Sequence, residues 1–175
     1  HRLTGQDDLV IGIPVGGRDD PAFADLIGMF ANTLPLRLPT HGDTPLADYA
    51  KACQREFLAA LEHQRYPLEA LIGDLRLPRD LARNPLFDTM FIFEDGNDRV
   101  YRIDGLTCAP LPVSRHAAMF DLAMEVIEAD GSLQLRLEYD TELFEASTAT
   151  RLLDTYRHLL TQAATQIDTP LSRVP

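Results

Sequence analysis

Two apolar–polar alternations separated by Asp130-Gly131 constrain this chain more tightly than any other stretch. Phe120, Leu122, Met124 and Val126 alternate with Asp121, Ala123 and Glu125, while Leu133, Leu135, Leu137 and Tyr139 alternate with Gln134, Arg136 and Glu138. A period of two places successive side chains on opposite faces of an extended strand, and Asp-Gly tolerates the positive φ of a two-residue turn. The spacing predicts a β-hairpin with one core face and one polar face.

The rest of the chain alternates between strand and helix signals. Leu9-Val10-Ile11 and Ile13 form an apolar run that stops at Gly16-Gly17, and Thr33 to Leu38 reads as a second strand followed by the turn His41-Gly42-Asp43. Thr44 is expected to cap a helix with Pro45 at its first position. Leu46, Tyr49, Ala50, Cys53, Phe57 and Leu61 then recur along one stripe, with Lys51, Arg55 and Glu62 off it. Pro67 opens a short helix, Leu68 to Leu75, and Pro78 and Pro85 bracket an irregular, Arg-rich connection. Thr89 to Phe93 is apolar without alternation, which predicts a strand covered on both faces. The segment Asp95 to His116, with Gly96, Gly105, Pro110 and Pro112, reads as a loop or an arm. Ser147 or Thr148 is expected to cap a last helix whose stripe is Leu152, Leu153, Tyr156, Leu159, Leu160 and Ala163. The fold class expected is α/β: a layered mixed sheet covered by helices.

Composition bounds the function. A chain of 175 residues with 45% hydrophobic content can bury one core without staples. A formal net charge of −11 argues against a nucleic-acid surface, which needs clustered Lys and Arg in excess. No run of ~20 apolar residues and no cationic, apolar signal peptide is present, so no membrane partner is expected. Cys53 and Cys108 are too few for a disulfide framework or a zinc site and read as reduced core thiols of a cytoplasmic protein; no metal is expected.

Several residues invite a chemical reading and have an ordinary one. His63-Gln64 with Glu69 suggests an acid/base pair, or a buried His-Gln unit that holds a helix end. His116 with Asp121 suggests a base and its orienter, or a solvated loop histidine without a nucleophile. Gly12, Gly16 and Gly17 lack the GxxxxGK[ST] and GxGxxG spacings of phosphate loops and read as a tight turn.

Three blocks, His63-Gln64 with Pro67 and Glu69, then Arg79-Asp80, then Arg83-Asn84-Pro85-Leu86-Phe87 followed by the apolar Met90 to Phe93, resemble the second half of the condensation domain of nonribosomal peptide synthetases. Residues 5–18, 27–37 and 120–144 extend the resemblance over nearly the whole chain. It implies a chloramphenicol-acetyltransferase-like lobe, residues 1–167, that meets an N-terminal lobe of the same domain in a V with a tunnel between them. Residues 168–175 would begin the linker to an adjacent adenylation domain. Donor and acceptor peptidyl carrier proteins would bring thioesters on phosphopantetheine arms into the tunnel, no cofactor being bound directly, and an amide bond would form. The family's reaction is attributed to a His-His-x-x-x-Asp-Gly motif of the first half, and no two adjacent histidines occur here. No residue of this chain is therefore assigned a catalytic role, and the chain, with His1-Arg2-Leu3-Thr4-Gly5 read as the tail of an upstream element, is expected to be a C-terminal lobe inactive alone.

The resemblance also marks tunnel residues. Asn32 matches a motif Asn near the tunnel, with capping of a strand end as its alternative. Arg83-Asn84 falls in the family's most specific block, with roles toward the active site or in fixing the loop. Asp121 matches a family position but also reads as a solvated acid, and Arg18 follows a family Gly-Arg, as a ligand contact or a structural ion pair. Arg65 stands where an acid is common, Leu68 where Phe is common and Ala82 where Ser is common. The alternatives are a carrier-recognition lobe without chemistry, a lobe of an epimerisation or cyclisation domain, and a lobe of an acyl-CoA-dependent acyltransferase.

Overall fold

The computed structural model describes residues 3–77, 83–96, 103–106, 108, 111, 113 and 117–174. Five strands, β1 (Asp8–Val15), β2 (Asn32–Pro39), β3 (Thr89–Asp95), β4 (Leu122–Ala129) and β5 (Ser132–Tyr139), form one sheet in the order β2-β1-β3-β4-β5. The two edge pairs are antiparallel and the two inner pairs parallel. This is the mixed, helix-covered α/β sheet that the interleaving implies.

The hairpin forms at the expected place. Ala129 pairs with Ser132 around Asp130 at φ 52° and Gly131 at φ 71°, a turn whose twist suits the flanking strands. Its register sets Leu122, Met124 and Val126 opposite Tyr139, Leu137 and Leu135 on one face, and Ala123, Glu125 and Ile127 opposite Glu138, Arg136 and Gln134 on the other. The helices α1 (Leu46–Leu61) and α2 (Leu68–Leu75) pack on β2, and α3 (Ala146–Thr165) packs on β5. Leu34, Leu36 and Val126 are buried on the helix-covered face. Towards one end of the other face, Phe87, Met90 and Ala123 form a buried cluster with Val10, Leu86, Phe120 and, from the start of α2, Leu68 against it. There the Phe87 and Phe120 rings stack at 5.8 Å.

Several local expectations are corrected. Coverage of β3 is incomplete: Phe93 is 57% exposed, because α1 and α3 lie over the edge strands and leave the far end of the middle strand open. Helix α1 begins at Leu46, so Pro45 is its N-cap residue and Thr44 caps nothing. The orphan amides of the first turn are instead met from the far end of the chain, Leu46 donating to the carbonyl of Thr169 at 3.0 Å and Ala47 to that of Ile167 at 2.8 Å. Helix α3 starts at Ala146 after Glu145, with no side-chain cap, which puts Ser147 and Thr148 inside its first turn. Ala50 is also exposed, off the half-buried stripe of α1, and neither thiol is in the core, Cys53 being half-buried and Cys108 exposed.

Residues 168–174, expected to open a linker, run along the turn before α1. Leu171 donates to the carbonyl of Thr44 and Ser172 to that of Gly42, at 3.0 and 2.9 Å, and Val174 is buried. Pro78, Arg79-Asp80, Ala82, His116, Pro110, Pro112 and most of the stretch between Asp95 and His116 lie outside the described residues.

Candidate functional site

One end of the strands gathers acids around an arginine. Asp88 and Asp121 immediately precede the parallel strands β3 and β4, and Asp140 immediately follows β5, so the pairing of Thr89 with Leu122 and of Leu122 with Tyr139 brings all three to the same end of the sheet. Arg83 donates to Oδ2 of Asp88 at 2.7 Å, while Oδ1 of Asp88 is buried without a hydrogen bond among the described residues. The Asp140 amide donates to the Asp121 carbonyl at 3.1 Å, and the Glu142 amide to Oδ1 of Asp140 at 2.8 Å. Burial, and then the negative Asp88, push the Asp121 carboxyl above its ordinary value; Arg83 opposes them and Asp140 adds to them.

A cleft of about 1140 Å³ opens beside this end of the strands, over the less covered face of the sheet. Its floor is Met90, Ile92, Ala123 and the cross-strand pair Glu125–Arg136, 2.9 Å apart, and its rim includes Met119, Tyr139 and Asp140. The arrangement offers apolar side chains beside a fixed ion pair, which suits holding an extended substrate rather than activating a nucleophile. Among the described residues no group of three or more His, Cys, Asp and Glu could hold a metal ion, and no helix is long and apolar enough to cross a membrane.

The structure brings Arg83 and Asp121 together through Asp88, with the exposed Asn84 beside them and without a hydrogen-bond partner among the described residues. Asn32 and Arg18 lie elsewhere. The Asn32 amide nitrogen donates to the carbonyls of Gln64 at 2.9 Å and Tyr66 at 2.8 Å, and its oxygen accepts from the Leu68 amide at 3.4 Å, so it brackets the connection between α1 and α2. Arg18 makes no ion pair among the described residues; its guanidinium donates to the carbonyls of Phe23 and Gly28 and lies 4.3 Å over the Phe30 ring. The expected buried His63-Gln64 unit is not present, because His63 is exposed and takes part only through its backbone. Asp88 was not singled out from the sequence, although an acid five residues beyond Arg83 and one before a strand is a readable signal.

Asp121→Asn is expected to raise the melting temperature slightly at pH 7. A carboxyl whose folded value is raised destabilises the fold once it ionises, so the variant's advantage should be present at neutral pH and vanish as the pH falls below the ordinary aspartate value of 3.8. The gain should stay under ~1 kcal/mol, since solvent screens the group. A melting temperature that drops at pH 7 would show that the Arg83 attraction outweighs burial.

The family model for the condensation domain matches residues 1–175. Surfactin synthase subunit 1 of Bacillus subtilis (strain 168) is 39% identical over 171 residues, covering 98% of this chain and 5% of that protein. The chain thus spans a small part of the curated relatives it matches. Among solved structures, the four-domain nonribosomal peptide synthetase holo-AB3403 bound to AMP and glycine superposes with a TM-score of 0.89 at 22% identity, over 98% of this chain and 14% of that one. The starter condensation domain of rhizomide synthetase in complex with C8-CoA superposes with a TM-score of 0.80 at 27% identity, over 99% of this chain and 40% of that one.

Proposed function

The chain belongs to the condensation-domain family, and we propose that it is the C-terminal lobe of such a domain, forming one wall of the tunnel in which amide bonds are made between carrier-tethered thioesters. The observation that carries this reading is the match over residues 1–175 combined with coverage of 40% of a solved condensation domain. The substrates would be aminoacyl or peptidyl groups on the phosphopantetheine arms of donor and acceptor carriers, and an N-terminal lobe and an adenylation domain would be neighbours. The free thiols Cys53 and Cys108 suit the cytoplasm.

In this reading the chain positions and another lobe provides the base. Attack of the acceptor amine on the donor carbonyl needs two thioesters held in line with water excluded, and a wall of fixed donors and acceptors lowers the entropic part of that barrier. Arg83 is the directional donor of the wall, held by Asp88 at its back, with the exposed amide of Asn84 beside it. Asp121 sits where its charge is opposed by burial, at the edge of the cleft.

The test is formation of the dipeptidyl carrier with both loaded carriers supplied. The 175-residue chain alone should give only the uncatalysed background. In the two-lobed domain, Arg83→Ala and Asn84→Ala should slow turnover about ten- to a hundredfold, as loss of one oriented hydrogen bond does, with His63→Ala near wild type. Turnover by the isolated chain overturns the lobe assignment. Loss of activity in His63→Ala at an unchanged melting temperature, with the other two unaffected, overturns the assignment of roles.

A further inference from the structure

The connection between β1 and β2 is a loop closed upon itself. At its neck Gly17 has φ +64°, and a Cβ there would run into the backbone carbonyl of Phe30. Inside it, Arg18 serves the carbonyls of Phe23 and Gly28, and the Phe23 and Phe30 rings lie 5.3 Å apart. At its tip Ile27 and Met29 are 103% and 90% exposed. Large apolar side chains held out in water by a braced backbone imply that their placement is worth maintaining.

A charged side chain ties this loop to the turn between α1 and α2. Arg65 reaches Oδ2 of Asp19 at 3.2 Å through Nη2 and 3.3 Å through Nε, lies 3.9 Å from Oδ2 of Asp20, and stands 5.7 Å over the Phe23 ring. The turn that carries Arg65 is itself anchored, since Asn32 grips the carbonyls of the residues on either side of it, Gln64 and Tyr66. We propose that Arg65 is a positioning residue, which locks the loop of residues 16–31 to the turn of residues 62–67 and so fixes where the Ile27–Met29 tip meets the carrier-borne substrate. This rests on the tunnel-wall reading above, extended to Arg18 and Asn32, which stand at the two ends of the loop and for which the family resemblance implies tunnel positions.

Hydrogen exchange of the 175-residue chain tests the lock directly. Arg65→Ala should speed exchange of amides 20–30 about two- to fivefold, the scale of an exposed ion pair, and leave the sheet unchanged. The difference should disappear in ~1 M salt, where screening acts within ~3 Å. Arg65→Glu should be worse than Ala, and Asp19→Arg combined with Arg65→Glu should restore the wild-type rate. In the two-lobed domain Arg65→Ala should raise KM for a loaded carrier two- to fivefold at nearly constant kcat. Equal exchange in wild type and Arg65→Ala, or a fall in kcat with KM unchanged, as loss of folded enzyme would give, overturns the proposal. A complete domain that forms no amide defeats the tunnel reading instead, and the exchange and charge-swap results still decide whether Arg65 locks the loop.

Discussion

Gly17→Ala is expected to destabilise the fold by ~2–4 kcal/mol, while the same change at the adjacent Gly16 should lie within about 0.5 kcal/mol of neutral. The contrast comes from two features that coincide at Gly17 alone. Its φ of +64° is strained for any residue with a Cβ, and the Cβ would overlap the Phe30 carbonyl, a backbone atom that cannot rotate aside. Gly16 has open space around the position of its Cβ. A Gly17→Ala chain has to open the neck of the loop, separating Arg18 from the Phe23 and Gly28 carbonyls it serves. Urea denaturation of both variants measures this. Equal midpoints would show that the neck closes by other means and that the loop is not braced there.

Most of the sheet could be read from the chain because its signals are local. Alternation around Asp130-Gly131 specified the hairpin and its faces, and the apolar runs at Leu9 and Thr33 marked β1 and β2. The helix ends were misread where the partner is distant. No local pattern tells that Leu46 and Ala47 are served by the carbonyls of Thr169 and Ile167, so Thr44 looked like the cap. The same limit applies at the site. Arg65 could be recognised as unusual, but its partner Asp19 stands 46 residues away. Arg83 and Asp121 were singled out separately, and only the parallel pairing of β3 with β4 reveals that Asp88 links them. His63 misled because a histidine beside a glutamine suggests a buried unit, whereas the turn presents its ring to water and uses only the neighbouring carbonyls.

Those carbonyls make Asn32→Asp the second large effect. The replacement keeps the shape of the side chain but removes both N–H donors, and it turns a carboxylate oxygen toward the carbonyls of Gln64 and Tyr66, which the amide nitrogen now meets at 2.9 and 2.8 Å. One part-buried acceptor and one exposed acceptor lose their partner and face a like charge, a loss of ~2–3 kcal/mol, whereas Asn32→Ala removes the bonds without the repulsion and should lose ~1–2 kcal/mol. The order of the two variants is the informative result, because an asparagine whose role is to contact substrate would show lost turnover at an unchanged melting temperature in both. If Asn32→Asp melts within a degree of wild type, the bracket does not hold the turn, and the amide is left for the tunnel. A melting temperature that falls further for Asp than for Ala places Asn32 in the framework from which Arg65 reaches the loop.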